Sequence, residues 1–170
     1  MNEIEFKNKK TWLDFLYYNI GKQNLDFELA GTFRKKDGEV GFSKWKKYSE
    51  CIFPINFDGT SDNWKEQKFF EQINQRQILQ NEIVIDLEEK KTIFEVIKKL
   101  DKLRLKYYIF DTKSRGYHIH IFFNEKFSSK EKLAIIKHCW GDEQKDGERC
   151  LISCEYSPHW KSGKIKEKYI

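Results

Sequence analysis

Residues 83–123, IVIDLEEKKTIFEVIKKLDKLRLKYYIFDTKSRGYHIHIFF, decide how this chain folds. Ile83-Val84-Ile85-Asp86-Leu87-Glu88 alternates with a period of two, the signature of a strand. Ile83, Ile85 and Leu87 share one face, and Val84, Asp86 and Glu88 share the other. Thr92-Ile93-Phe94-Glu95 has the form of a capping box and opens a helix. Its apolar stripe is Ile93, Val96, Ile97 and Leu100. Tyr107–Phe110 reads as a second strand, Thr112–Gly116 as a polar turn, and Tyr117–Phe123 as a third strand. There Ile119, Ile121 and Phe123 form the core set, opposed by His118 and His120.

Working outward, Ser128-Ser129-Lys130-Glu131 is a second capping box. It opens a helix with Leu133 and Ile136 inward. Leu151–Glu155 is a last short strand, with Ile152 and Cys154 inward and Ser153 and Glu155 outward. From residue 83 the order is therefore strand, helix, strand, strand, helix, strand. That is the order of a ferredoxin-like or RRM-like sheet, with helices on one face and the other face open. Three strands then place Asp86, Glu88, Glu155, His118 and His120 on the open side.

The first half is less regular. Thr11-Trp12-Leu13-Asp14 reads as an N-cap and a short helix with Trp12, Phe15 and Leu16 inward. Phe27 to Phe42 reads as two strands about Lys36-Asp37-Gly38-Glu39, a hairpin signal. Cys51 to Phe57 reads as a strand, and Trp64 to Leu79 as a helix with Phe69 and Ile73 toward the core. The expected class is α/β (α+β), one compact domain. Residues 1–81 form a small N-terminal α/β lobe, and 82–170 an RRM-like catalytic palm with a basic tail.

Composition narrows the function classes. The chain has 170 residues, 16% of them aromatic, and a net charge of +5. That length buries a real core, and the aromatic content excludes a disordered chain. No apolar run is long enough to span a bilayer. The acidic start, Met1-Asn2-Glu3-Ile4-Glu5, lacks the order of a signal peptide, so the expected location is cytoplasmic. The mild positive charge permits a polyanionic partner. His138, Cys139, Cys150, Cys154 and His159 give a loose spacing for structural zinc; buried free thiols account for the cysteines more simply.

Carboxylates two apart on a strand are oxygen ligands suited to Mg²⁺ or Mn²⁺. Two such ions can activate a hydroxyl and stabilise a leaving phosphate oxygen. Backbone amides around Ser114-Arg115-Gly116, with the Arg115 fork, suit a phosphate. Taken singly, Asp86 and Glu88 on the outer face of a half-covered sheet also fit ordinary solvated acids.

With these residues in place, the chain resembles the archaeo-eukaryotic primase superfamily, which includes primase small subunits and primase-polymerases. Its first motif, a strand ending D-x-D or D-x-E, is matched by Ile85-Asp86-Leu87-Glu88. Its second, of S-x-G-x-H type, is matched by Ser114-Arg115-Gly116-Tyr117-His118. Asp86 and His118 are 32 residues apart, which holds one helix and one strand. The third motif, an acid on a later strand, is read at Glu155-Tyr156-Ser157-Pro158-His159-Trp160-Lys161. Glu stands there where Asp is frequent, and Asp111 is a rival. The resemblance covers about residues 82–166 and reaches no motif in the first half.

The resemblance implies template-directed nucleotidyl transfer from nucleoside triphosphates, for primer synthesis or extension on single-stranded DNA. Asp86, Glu88 and Glu155 would be catalytic and hold two Mg²⁺ or Mn²⁺ ions. His118, Ser114, Arg115, Gly116 and Lys161 would bind the nucleotide. Any helicase or primase large subunit would be a separate protein. In the basic tail, Lys164, Lys166 and Trp160 would track nucleic acid, or form a solvated end.

Two other functions draw on the same residues. Tyr117-His118-Ile119-His120-Ile121 also fits the pattern of HUH nicking endonucleases, with His118 and His120 holding one metal and Tyr156 as nucleophile. That leaves Asp86, Glu88, Ser114 and Gly116 without a role. A catalytically inactive single-strand-binding module would instead stack bases on an open sheet. Acids on that sheet oppose it.

Overall fold

A computed structural model describes residues 7–21, 26–43, 45–51, 64–147, 150–159 and 162–169. The elements are α1 (Lys9–Gly21), β1 (Glu28–Ala30), β2 (Thr32–Arg34), β3 (Val40–Phe42), β4 (Lys46–Lys47), α2 (Trp64–Gln72) and β5 (Gln75–Gln77). They continue with β6 (Glu82–Leu87), α3 (Ile93–Lys102), β7 (Tyr107–Asp111), β8 (Tyr117–Phe122), α4 (Ser129–His138), β9 (Leu151–Ser153) and β10 (Glu167–Lys168).

The palm sheet has the order β6-β8-β7-β10, with antiparallel neighbours. Its register matches Ile83 with Ile121, Ile85 with Ile119 and Asp86 with His118. The period-two phase expected from the sequence holds. Ile83, Ile85, Leu87, Ile109, Ile119 and Ile121 are buried against Ile93, Val96 and Leu100 of α3 and Ile136 of α4. Burying one such side chain is worth about 1.5–3 kcal/mol, and a one-residue slip would turn the whole set to the wrong face.

The opposite face is not open. Helix α1 and a second sheet, of order β4-β1-β5-β9, cover it. Trp12 packs edge-on against Phe110 (centroids 4.9 Å apart) and Tyr108 (5.8 Å). Leu13, Leu16, Phe27, Leu29, Ile73 and Cys154 complete this second core. Tyr108, Phe110 and Phe122 make that sheet face aromatic, so it needs a cover rather than water.

The sixth element departs from the expected order. Strand β9 pairs with β5, Arg76 opposite Ile152, and belongs to the second sheet. The palm edge next to β7 is taken by β10.

Other boundaries moved for local reasons. Helix α2 stops at Gln72 rather than Leu79. The Asn74 amide donates to the Ala30 carbonyl, and the backbone passes into β5. Helix α1 starts before Thr11, because Asn8 and Thr11 cap each other: Asn8 Oδ1 accepts from the Thr11 amide (2.9 Å) and Thr11 Oγ1 from the Asn8 amide (3.2 Å). Ser128 caps α4 as expected, its Oγ accepting from the Glu131 amide. Thr92 does not cap α3; its hydroxyl donates to the Glu89 carbonyl inside a 3₁₀ turn.

The Asp37-Gly38 hairpin forms between β2 and β3, with Gly38 at φ +87°. Gly31 separates β1 from β2, since a Cβ there would sit 2.6 Å from the Gln72 carbonyl oxygen. Of the strand expected at Cys51–Phe57, Cys51 is a bend and the rest lies outside the described residues. Among the described residues no helix is long and apolar enough to cross a membrane.

Candidate active site

The ladder between β6 and β8 puts Asp86 and His118 on one rung. His118 Nε2 lies 3.3 Å from Asp86 Oδ1. Asp86 is the last residue but one of β6 and His118 the second of β8, close to the 112–116 turn. Thr112 closes that turn: its hydroxyl donates to the Gly116 carbonyl (2.8 Å), and the Ser114 amide donates back to Thr112 Oγ1 (3.3 Å). Gly116 is obligatory, because a Cβ would lie 1.5 Å from the Leu87 carbonyl oxygen. The turn is thereby pressed against the end of β6, with Ser114 and Arg115 exposed at its rim. Asp111 is engaged by Lys90 at 3.1 Å.

Burial, and then the nearby Lys166 charge, push His118 down to about 4, against the pull of Asp86. It is neutral at pH 7 and has a single N–H. Nε2 faces the Asp86 carboxylate and Nδ1 is buried without a hydrogen-bond partner, so the proton belongs on Nε2. Burial alone would raise Asp86, but the hydrogen bond from His118 and the charges of Lys145 and Lys166 hold it below the usual carboxylate value. The pair is therefore an ionised carboxylate aimed by a neutral imidazole.

Asp86 borders an open groove of about 390 Å³ with Leu87, Glu88, Glu89, Thr92, Trp140, Gly141 and Asp142. Glu88 sits just past the end of β6 and is exposed. Sequence reading missed Thr92, Trp140 and Asp142. Thr92 comes from the turn before α3, and Trp140 and Asp142 arrive through the C-terminus of α4: Trp140 takes a left-handed φ of +58°, and the Gly141 amide bonds back to the Ile136 carbonyl. The Asp142 amide then donates to the Asp86 carbonyl at 3.0 Å. The Trp-Gly pair after a helix was the available signal for that stop.

Glu155 is not brought to this groove, which corrects the sequence-based expectation. It is fully buried between the sheets. Arg76 Nε holds Glu155 Oε2 at 2.8 Å, and Arg76 Nη2 holds Glu82 Oε2 at 2.7 Å. Lys166 Nζ reaches Glu155 Oε1 (3.1 Å) and the Ser153 carbonyl (2.9 Å). His120 lies between the two acids, Nδ1 at 2.8 Å from Glu82 and Nε2 at 3.1 Å from Glu155. Burial would raise both acids, but Arg76 keeps Glu82 and Glu155 well below the normal range, with Lys166 and His120 contributing at Glu155. Two cations balance two anions, which is how a buried ionic cluster becomes tolerable. Lys166, expected on a nucleic-acid backbone, is likewise buried and committed here. The burial of Glu155 follows from β9 joining the second sheet, and Lys166 is drawn in by its bonds to Glu155 and the Ser153 carbonyl.

Lys164 is exposed, and Trp160 and Lys161 lie outside the described residues. His118 and His120 share a face with ring centroids 6.3 Å apart, but His120 is enclosed by Glu82, Glu155 and Arg76. Burial, then the Glu155 charge, push the Tyr156 phenol up to about 12, which opposes a nucleophilic role. Cys139 is in the palm core and Cys154 in the second core, so the cysteines do not converge for zinc.

Among the described residues no three His, Cys, Asp or Glu side chains are grouped to hold a metal. Asp86 and Glu88 are oxygen donors beside an open groove, and Mg²⁺ commonly takes one or two carboxylates with water and substrate phosphates. The donor chemistry fits a hard divalent cation bound together with a nucleotide.

No protein-family model matches the chain, and no curated protein matches its sequence. Its fold is similar to the polymerase domain from Mycobacterium tuberculosis Ligase D, solved in complex with DNA. The TM-score is 0.52 at 13% identity, covering 95% of this chain and 80% of that one. The likeness is in the fold: a mixed α/β architecture similar to that domain's surrounds the Asp86–His118 pair.

Proposed function

We propose that this chain is a primase-type nucleotidyltransferase core. It would extend or start chains on a single-stranded DNA template from nucleoside triphosphates. The observation that carries this is the Asp86–His118 rung, set beside the acidic groove in a polymerase-domain fold.

Asp86 and Glu88 would hold Mg²⁺ or Mn²⁺, which when bound supplies neutralisation of phosphate charge and activation of the attacking hydroxyl. His118 gives its one N–H to Asp86 and so fixes the carboxylate's direction. That makes it an orienting group, and leaves phosphate binding to the exposed Ser114 and Arg115 at the rim, with Lys161 carried from the sequence motif alone. The buried placement of Glu155 and Lys166 removes them from this assignment. Lys164, with Trp160, remains proposed for the nucleic-acid strand.

The test is incorporation of labelled nucleotides on single-stranded DNA with Mn²⁺ or Mg²⁺, with and without a primer. Template-dependent product supports the proposal, and the lane without primer separates initiation from extension. No product, together with a covalent protein–DNA adduct, would contradict it.

A further inference from the structure

The β2–β3 hairpin is a separate two-stranded sheet. Such a ribbon is marginal alone, so its base needs anchoring. Asn74 supplies that: its Oδ1 accepts from the Thr32 amide (2.7 Å) and its Nδ2 donates to the Thr32 carbonyl (3.1 Å). Gly31 and Ser43 add a second pair of bonds, both 2.7 Å.

Beyond this base the hairpin exposes apolar groups on both faces. Phe33 is 49% exposed, Val40 41% and Phe42 50%. None belongs to a core cluster. The register sets Phe33 opposite Gly41, and a Cβ on Gly41 would meet the Phe33 ring at 2.8 Å. One face of that ring therefore rests on bare backbone. On the other side of the ribbon, Phe42 stacks with Trp45 at 6.0 Å and 28°.

The charge around these rings is one-sided. Residues 32–47 hold six Lys or Arg (34, 35, 36, 44, 46 and 47) against Asp37 and Glu39, in a chain whose whole net charge is +5. Lys46 is already placed over the Phe69 ring. Arg34, Lys35 and Lys36 are exposed at the tip. Flat aromatic platforms among cations complement a polyanion whose bases are unpaired, since a duplex hides its base faces.

We propose that the β2–β3 hairpin is a docking arm for single-stranded nucleic acid. Phe33 and the Phe42–Trp45 pair stack bases, and Arg34, Lys35 and Lys36 contact the phosphates. This deepens the nucleotidyltransferase reading and rests on it for the partner.

The experiment is fluorescence anisotropy of a labelled oligothymidylate titrated with the full chain over a range of salt. Phe33→Ala/Phe42→Ala should weaken binding by about tenfold or more and leave the salt slope unchanged. Arg34→Gln/Lys35→Gln/Lys36→Gln should lower the salt slope by about two. Far-UV circular dichroism should be unchanged in both, because neither set reaches a core. Binding is measured without nucleotide or divalent cation, so failure of the catalytic assignment stays separate from failure of this one. Unchanged affinity in both hairpin variants overturns the proposal. So does absence of binding by the wild type, or a wild-type dimer that dissociates on Phe33→Ala/Phe42→Ala without any change toward the oligonucleotide.

Discussion

His118 Nε2 faces Asp86 Oδ1 at 3.3 Å across one rung of the β6–β8 ladder, and the imidazole is neutral and buried there. A carboxylate at a strand end has rotational freedom. The imidazole N–H removes it and favours the ionised form.

His118→Ala should therefore lower turnover by about 10–100-fold, the usual cost of losing an orienting partner. The Asp86 carboxyl loses its hydrogen bond, so the acid limb of the pH–rate profile should move to higher pH. A loss confined to KM for the nucleotide would instead mean that His118 binds phosphate directly.

Glu155 and Glu88 should separate cleanly. Arg76→Met leaves Glu82 and Glu155 buried without their shared cation, and should cost about 3–5 kcal/mol in urea unfolding. Glu155→Gln should also act mainly on stability. Glu88→Gln, at an exposed position, should stay within about 0.5 kcal/mol of wild type while reducing incorporation.

Gly116→Ala tests how tightly the 112–116 turn is pressed on β6. With a Cβ only 1.5 Å from the Leu87 carbonyl, the turn must move bodily. Destabilisation of more than about 3 kcal/mol is expected, with loss of activity in any folded fraction.

Acid should unfold the protein from a higher pH than carboxylates alone require. His118, at about 4 in the fold, stays neutral where an unfolded histidine near 6.5 takes up a proton. Its contribution is present above pH 6.5 and is lost as pH falls toward 4, to at most about 3 kcal/mol. His120 is displaced in the same direction by burial. Glu82 and Glu155, held low by Arg76, add losses only below the ordinary carboxylate range. Urea unfolding against pH, with divalent cations removed, should show a decline beginning near pH 6.5, and His118→Gln should flatten its upper part.

What could be read from the sequence was whatever depended on local period. Ile83, Ile85 and Leu87 against Val84 and Asp86 fixed which face of β6 meets α3 and α4. The spacing from Asp86 to His118 placed them in one sheet. Long-range pairing lay beyond that logic. Nothing within Leu151–Ser153 says that its partner is β5 rather than β6, and that choice alone buries Glu155. The cover over the second face was also hidden, because Trp12, Tyr108 and Phe122 declare a need for burial but not against what. Trp140 and Asp142 reach the groove only through the left-handed stop of α4, a tertiary consequence of one backbone torsion.

The most direct measurement is single-turnover nucleotide incorporation on a primed single-stranded template by wild-type protein and by Asp86→Asn, with matched circular dichroism. A catalytic Asp86 requires template-directed product from the wild type and loss of at least about a thousandfold in the variant, the scale expected when a group acting on the reacting phosphate is removed. Equal rates from the two proteins would contradict it.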